Sequence, residues 1–234
     1  MPTRSDFLAT GSLAMLTPGI AAAKTPSPPP KPAPEPSLPP LHFEVAAFDA
    51  ALNTAAPHRH LFASTKIDGG VVLAAMRNTL NAYGDIGVAT RDVFPVAVLY
   101  HGGSVFLAFD DAVWNEYLIP LQPKGARNLD DYAKDFDTVY DPKKRGNPCL
   151  HKTGGHEDTS IESLVADAGA CFFVCNNAAR GFAHYIATHL KKQPAEVYVQ
   201  LAAHLVPNAM LVPAGVWAVH AIQERRYTLL QTSL

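Results

Sequence analysis

The distribution of proline divides this chain of 234 residues into parts that cannot share one fold. Nine of the 18 residues from 24 to 41 are proline, against nine of the 193 residues from 42 to 234. Because proline lacks the backbone N–H that helices and central strands need, residues 24–41 are predicted to form an extended, Pro-rich linker. Residues 42–234, with an ordinary proline content, are predicted to be the globular body.

Residues 1–23 have the features of an export signal. Arg4 supplies a positive charge, residues 7–20 are mildly apolar, and three alanines at 21–23 form a small-residue cleavage site. The residues around Arg4 resemble the twin-arginine motif, but Ser5 stands where the second arginine would be. Sec and Tat export therefore both stay open, and the alternative is a disordered N-terminus or a short buried helix. We expect a periplasmic or secreted protein.

The composition argues against several classes of protein. With 19 basic and 21 acidic residues the net charge is −2, so a nucleic-acid partner is not expected. No run reaches the roughly 18 apolar residues of a membrane span, so the mature form is predicted to have none. Neither a phosphate loop nor G-x-G-x-x-G nor G-x-S-x-G occurs, and no cofactor is predicted. The sequence leaves open whether the protein is an enzyme.

The body alternates apolar runs with segments of helical periodicity. The predicted strands are 61–63, 96–100, 170–174, 210–212 and 227–230. The predicted helices are the one with an apolar stripe over 72–83, one that begins near 110, and 160–168, 178–190, 195–205 and 214–225. Apolar strands separated by helices indicate an α/β fold with a mainly parallel sheet covered on both faces. Residues 120–158 are polar and are predicted to form a long excursion from this fold.

Parallel sheets of this kind bind ligands just outside the carboxyl ends of their strands. Three stretches occupy such positions here: 101–104, 175–177 and 213–215. This argument indicates a place for a site but does not identify a reaction.

Three blocks of the sequence together resemble the DsrE-like (DsrE/F sulfur-relay) family. They are Val-Leu-Tyr-His-Gly-Gly-Ser at 98–104, Phe-Phe-Val-Cys-Asn-Asn-Ala at 172–178, and Leu-Val-Pro-Ala-Gly-Val at 211–216. The resemblance implies a three-layer α/β sandwich with a five-stranded, mainly parallel sheet. It also implies that the protein assembles as a trimer or hexamer. It also implies a cysteine at the end of the third strand that accepts sulfane sulfur as a persulfide, and Cys175 occupies that position. The family's sulfur-relay members are cytoplasmic, whereas this chain has the features of an exported one.

Cys175 is the predicted reactive residue because it leaves a strand just before a helix, whose amino terminus would stabilise a thiolate. His101, at the end of the second strand, is the predicted partner, as a base or as a stabiliser of the thiolate. The alternatives are a core cysteine and a histidine that only caps its strand. The residues predicted to hold an anionic sulfur species are Gly102, Gly103, Asn176, Asn177 and Arg180. A surface salt bridge is the alternative role for Arg180.

The other two cysteines are assigned separate roles. Cys171 and Cys175 lie four residues apart in one strand, about 13 Å, which exceeds the reach of a disulfide. Cys171 is therefore predicted to be a buried, unreactive residue. Cys149 lies in the excursion and is predicted to act as a resolving thiol or disulfide partner of Cys175, if the excursion folds over the strand end.

Two other functions remain open. One is a non-catalytic module that binds a small ligand or serves as an oligomeric scaffold, with Trp217 at a subunit interface. The other is a metal protein that uses Cys149, His151, His156 and Asp158 of the excursion, or the pair His58 and His60. Neither cluster has a recognised zinc spacing, so no metal ligand is assigned.

Overall fold

The structure is a computed structural model, and it describes residues 37–101, 103–121, 145–152 and 159–232. The predicted export signal 1–23 and most of the predicted linker lie outside these residues, and so do Gly102, His156 and Asp158.

A single five-stranded sheet organises the described residues. Its strands are β1 (His58–Ser64), β2 (Val93–Leu99), β3 (Cys171–Cys175), β4 (Ala209–Val212) and β5 (Thr228–Gln231). They lie in the order β4-β3-β2-β1-β5, and every neighbouring pair is parallel. The α/β prediction is therefore confirmed. The apolar runs of β2 and β3 are buried because both strands lie inside the sheet and are covered on both faces.

Helices cover both faces of the sheet and make three layers. They are α1 (Val45–Leu52), α2 (Val71–Asp85), α3 (Ile161–Ala168), α4 (Asn176–Leu190), α5 (Pro194–Ala203) and α6 (Gly215–Glu224). α1 and α6 pack on one face, whereas α2 to α5 pack on the other. A helical segment at 111–121 joins this second layer and changes from α to π and back, as Asp111–Val113, Trp114–Leu118 and Ile119–Leu121. Within the described residues, no helix is long and apolar enough to cross a membrane.

The alternation of side chains along the strands divides the core in two. In β2, Val96 and Val98 face the layer of α1 and α6, whereas Ala97 and Leu99 face the layer of α2 to α5. Helix α1 is absent from the predictions, although its buried residues Phe48 and Leu52 have the i, i+4 spacing of a helix face.

The described ends of the predicted excursion 120–158 belong to the core. Leu121 at its beginning is buried, and so is Leu150. The buried side chain of Asn147 donates from Nδ2 to the carbonyl oxygens of Leu107 at 2.9 Å and Phe109 at 2.7 Å. The polar composition of the excursion did not indicate this contribution, because Asn147 is a polar residue that is buried with its side-chain amide hydrogen-bonded to the main chain.

Candidate functional site

The carboxyl ends of β2, β3 and β4 meet at a junction where Tyr100, Cys175 and Gly215 pack closely together. Cys175 is the last residue of β3 and is 7% exposed. Gly215 begins α6 directly after β4, and a side-chain carbon at this position would overlap the Cβ of Tyr100. The same carbon would lie 3.2 Å from the Cβ of Cys175. The close approach of three chain segments therefore requires glycine at position 215.

Cys175 is also the N-cap of α4, a helix of 15 residues. The side chain of Cys175 makes no capping hydrogen bond to the first backbone N–H groups of this helix. These N–H groups and the helix dipole together favour negative charge close to the cap residue.

Asn176, the first residue of α4, is tied to α5. Its side chain is buried, and its Oδ1 accepts a hydrogen bond of 2.7 Å from the hydroxyl of Tyr198, which is buried as well. This contact fixes the residue next to Cys175 against α5. Asn177, one residue later, is exposed on the first turn of α4.

Arg180 has its described contacts with the last residues of the predicted linker. Its guanidinium donates to the carbonyl oxygen of Pro39 at 2.7 Å and to that of Leu38 at 3.4 Å. It also lies 5.2 Å from the ring centroid of Tyr198. These contacts, together with the burial of Leu38, fasten residues 37–41 to the body. The role of Arg180 in binding an anion stays a prediction.

The chain leaves β2 through a constrained turn. His101 is exposed and has a positive φ of 62°, which places its backbone in the left-handed region. Gly103 and Ser104 are buried at the start of the 3₁₀ helix Gly103–Ala108. The Ser104 hydroxyl lies 2.7 Å from the carbonyl oxygen of Ser64 and 3.2 Å from that of Tyr100, and so links the ends of β1 and β2. No hydrogen bond between His101 and Cys175 occurs among the described residues.

All three cysteines are free thiols, and the structure separates them. Cys149 does not lie at the junction with Cys175: its Sγ packs against Gly70, before α2, and burial raises the pKa of its thiol to about 12. Cys171 lies at the opposite end of β3 from Cys175, with its Sγ 3.7 Å from the carbonyl oxygen of Ala51. Cys171 is half-buried and not fully buried as predicted, and its partial burial raises the pKa of its thiol to about 11.

The histidine pair of β1 lies against an aromatic ring. The ring centroids of His58 and His60 are 4.5 Å and 5.3 Å from that of Tyr83, and Nε2 of His60 is 3.1 Å from the Tyr83 hydroxyl. Burial lowers the pKa of His60, and the nearby charge of His58 lowers it further. In the part of the chain that the structure describes, no three metal-ligating side chains form a group.

Comparisons with known proteins leave the family open. No family model matches the chain, and no curated protein matches it. Among solved structures, a protein of unknown function from Methanobacterium thermoautotrophicum is 14% identical, with a TM-score of 0.36. The match covers 74% of this chain and 98% of that one.

Proposed function

We propose that this protein is a sulfur carrier in which Cys175 takes up one sulfane sulfur atom as a persulfide and passes it on. The observation that supports the proposal most is the position of Cys175. It ends an inner strand, occupies the N-cap of a long helix and lies at the junction where three strands end. The resemblance of the three sequence blocks to the DsrE-like family suggests the same residue.

The proposed reaction needs no external oxidant or reductant. The Cys175 thiolate attacks the terminal sulfur of a persulfide or thiosulfate donor, and a new S–S bond forms as the donor's S–S bond breaks. The leaving thiolate or sulfite keeps the electron pair of the broken bond. In the second step an acceptor thiolate attacks the outer sulfur of the Cys175 persulfide, which releases the Cys175 thiolate again.

The surroundings of Cys175 support a small donor. With 7% exposure, Cys175 suits a small sulfur species better than a bulky one. The first N–H groups of α4 would stabilise both the thiolate and the persulfide anion. His101 and Asn177 are exposed on the segments that leave β2 and β3, and we propose that they meet the incoming donor together with Gly102, Gly103 and Arg180.

The cellular location and the oligomeric state of the protein belong to the same proposal. An exported chain would meet sulfur species in the periplasm or outside the cell, and this rests on the signal-like residues 1–23. A homo-oligomer, trimeric or hexameric, follows from the family resemblance alone. In this proposal Cys149 resolves the persulfide only after its half-buried thiol leaves the contact with Gly70.

Cold cyanolysis tests the carrier function. Protein is treated with polysulfide and desalted, and cyanide then releases each persulfide sulfur as thiocyanate. We expect about one thiocyanate per chain for the wild type, none for Cys175→Ser, and the wild-type yield for the matched variant Cys171→Ser. An equal yield from wild type and Cys175→Ser would refute the carrier role of Cys175.

A cavity beside β4 favours the second candidate, a module that binds a small apolar ligand without reaction. Its volume is about 680 Å³, within the range of known ligand pockets. Residues 39–44, α5 and β4 line it, and most of the side chains are apolar. A fluorescent apolar dye would bind the wild type and lose affinity in Ala202→Trp, which fills the cavity. An unchanged affinity in this variant would argue against binding in this cavity.

A further inference from the structure

His151 lies between two carboxylates that come from different parts of the fold. Its Nε2 is 2.8 Å from Oδ2 of Asp111, at the start of the helical segment 111–121. Its Nδ1 is 2.9 Å from Oε1 of Glu162, in the first turn of α3. We call these three side chains the latch.

The geometry of the latch requires the imidazole of His151 to be protonated. Ionised carboxylates only accept hydrogen bonds, so both ring nitrogens of His151 must donate, which only the imidazolium can do. The hydrogen bond with Asp111 raises the pKa of His151 most, burial opposes it, and the hydrogen bond with Glu162 and the charges of both carboxylates raise the pKa further. Asp111 and Glu162 are the charged groups of the described residues that act on it.

The latch fastens a segment that carries a cysteine. Residues 145–152 contact Asp111 a second time, because the Asn147 N–H donates to Oδ1 of Asp111 at 2.8 Å. Gly146 packs so closely on Asp111 that a side-chain carbon there would overlap the carboxylate. Two residues before His151, Cys149 is held with its Sγ against Gly70, and burial raises the pKa of its thiol.

We propose that the latch is a pH-sensitive device that controls access to Cys149. While His151 is protonated, the segment 145–152 is held closed and half-buried Cys149 keeps its sulfur packed against Gly70. When His151 loses a proton, one of its two carboxylate contacts is lost, and the segment opens more often. The proposal concerns Cys149 alone and does not depend on sulfur transfer at Cys175.

Alkylation rates measured by mass spectrometry test the latch, with Cys171 as an internal reference. Neutral iodoacetamide is applied from about pH 6 to about pH 9, and the rate at Cys149 is divided by the rate at Cys171. The pKa values of the two thiols, about 12 and about 11, lie above this range. Up to about pH 8 both thiolate fractions rise about tenfold per pH unit, even if Cys149 regains the ordinary thiol pKa of about 8.5 when the segment opens, so a change of the ratio in this range reports a change in access. We expect the ratio to rise at least about threefold with pH.

Three variants distinguish an effect of the latch on Cys149 from a general loosening of the protein. In His151→Leu the ratio should be high and independent of pH. In Glu162→Gln, which keeps the side-chain shape, the rise should move to lower pH. The matched control is His220→Leu, an exposed histidine of α6 on the other side of the sheet, and it should behave like the wild type. A flat ratio in the wild type, or an unchanged rise in Glu162→Gln, would overturn the proposal.

Discussion

Replacing Gly215 by alanine tests the close packing of Tyr100, Cys175 and Gly215. The test is whether the free energy of unfolding rises or falls. Helix propensity alone favours alanine over glycine, by as much as about 1 kcal/mol in a helix interior. The structure predicts the opposite sign at this position, because the added methyl group would overlap the Cβ of Tyr100 and touch the Cβ of Cys175.

The size of the expected stability loss depends on which atoms the added methyl group would overlap. A Cβ atom is attached to the main chain, so Tyr100 cannot relieve the overlap by rotating its side chain. Either α6 or the end of β2 must shift, and overpacking of this kind costs about 1–3 kcal/mol. For a protein of this size, a loss of about 2 kcal/mol lowers the melting temperature by about 4–8 °C.

The assay is thermal and urea denaturation of Gly215→Ala beside Gly181→Ala. Gly181 lies in α4, and a side-chain carbon there would have no atom within 4 Å. We therefore expect Gly181→Ala to be neutral or more stable than the wild type, by up to about 1 kcal/mol. If both variants gain stability, there is room for a side chain at position 215, and the argument that this position requires glycine is wrong.

Three further substitutions have defined outcomes. Tyr198→Phe removes the hydroxyl that donates to buried Asn176, so the free energy of unfolding in urea should fall by about 1–3 kcal/mol. The raised pKa of His151 stabilises the fold below about pH 6.5, and this stabilisation is lost as the pH rises through the folded-state pKa. The wild type should therefore lose up to about 1 kcal/mol relative to His151→Leu between about pH 6 and about pH 9. Arg180→Met removes the donor to Pro39, so amide exchange at residues 41–44 should become about tenfold faster; unchanged exchange would contradict the fastening role.

Sequence patterns were sufficient for the inner strands β2 and β3 because these two strands are nearly continuous apolar runs. The predicted strand 61–63 missed the beginning of β1, because β1 starts with the polar residues 58–60. The runs at 96–100 and 170–174 predict β2 and β3 to within a few residues, and the short run at 210–212 predicts β4. Placing Cys175 at a strand end before a helix required only these bounds. The N-cap position was within reach of the sequence for the same reason.

Long-range contacts could not be predicted in this way. The sequence allows Arg180 to meet an anion, but its described partners, Leu38 and Pro39, lie more than 140 residues earlier in the chain. His151 was considered as a metal ligand, whereas the structure places it between Asp111 and Glu162. Local spacing contains no information about which distant segment will supply the partner of a polar side chain.

Peptide-level mass spectrometry after polysulfide treatment tests the central claim most directly. A persulfide adds the mass of one sulfur atom to the peptide that carries it, so all three cysteines are compared in one experiment. We predict this adduct on Cys175, with Cys149 and Cys171 unmodified while the fold is intact. No adduct on Cys175, or an equal adduct on Cys149, would contradict the proposal that Cys175 carries sulfur.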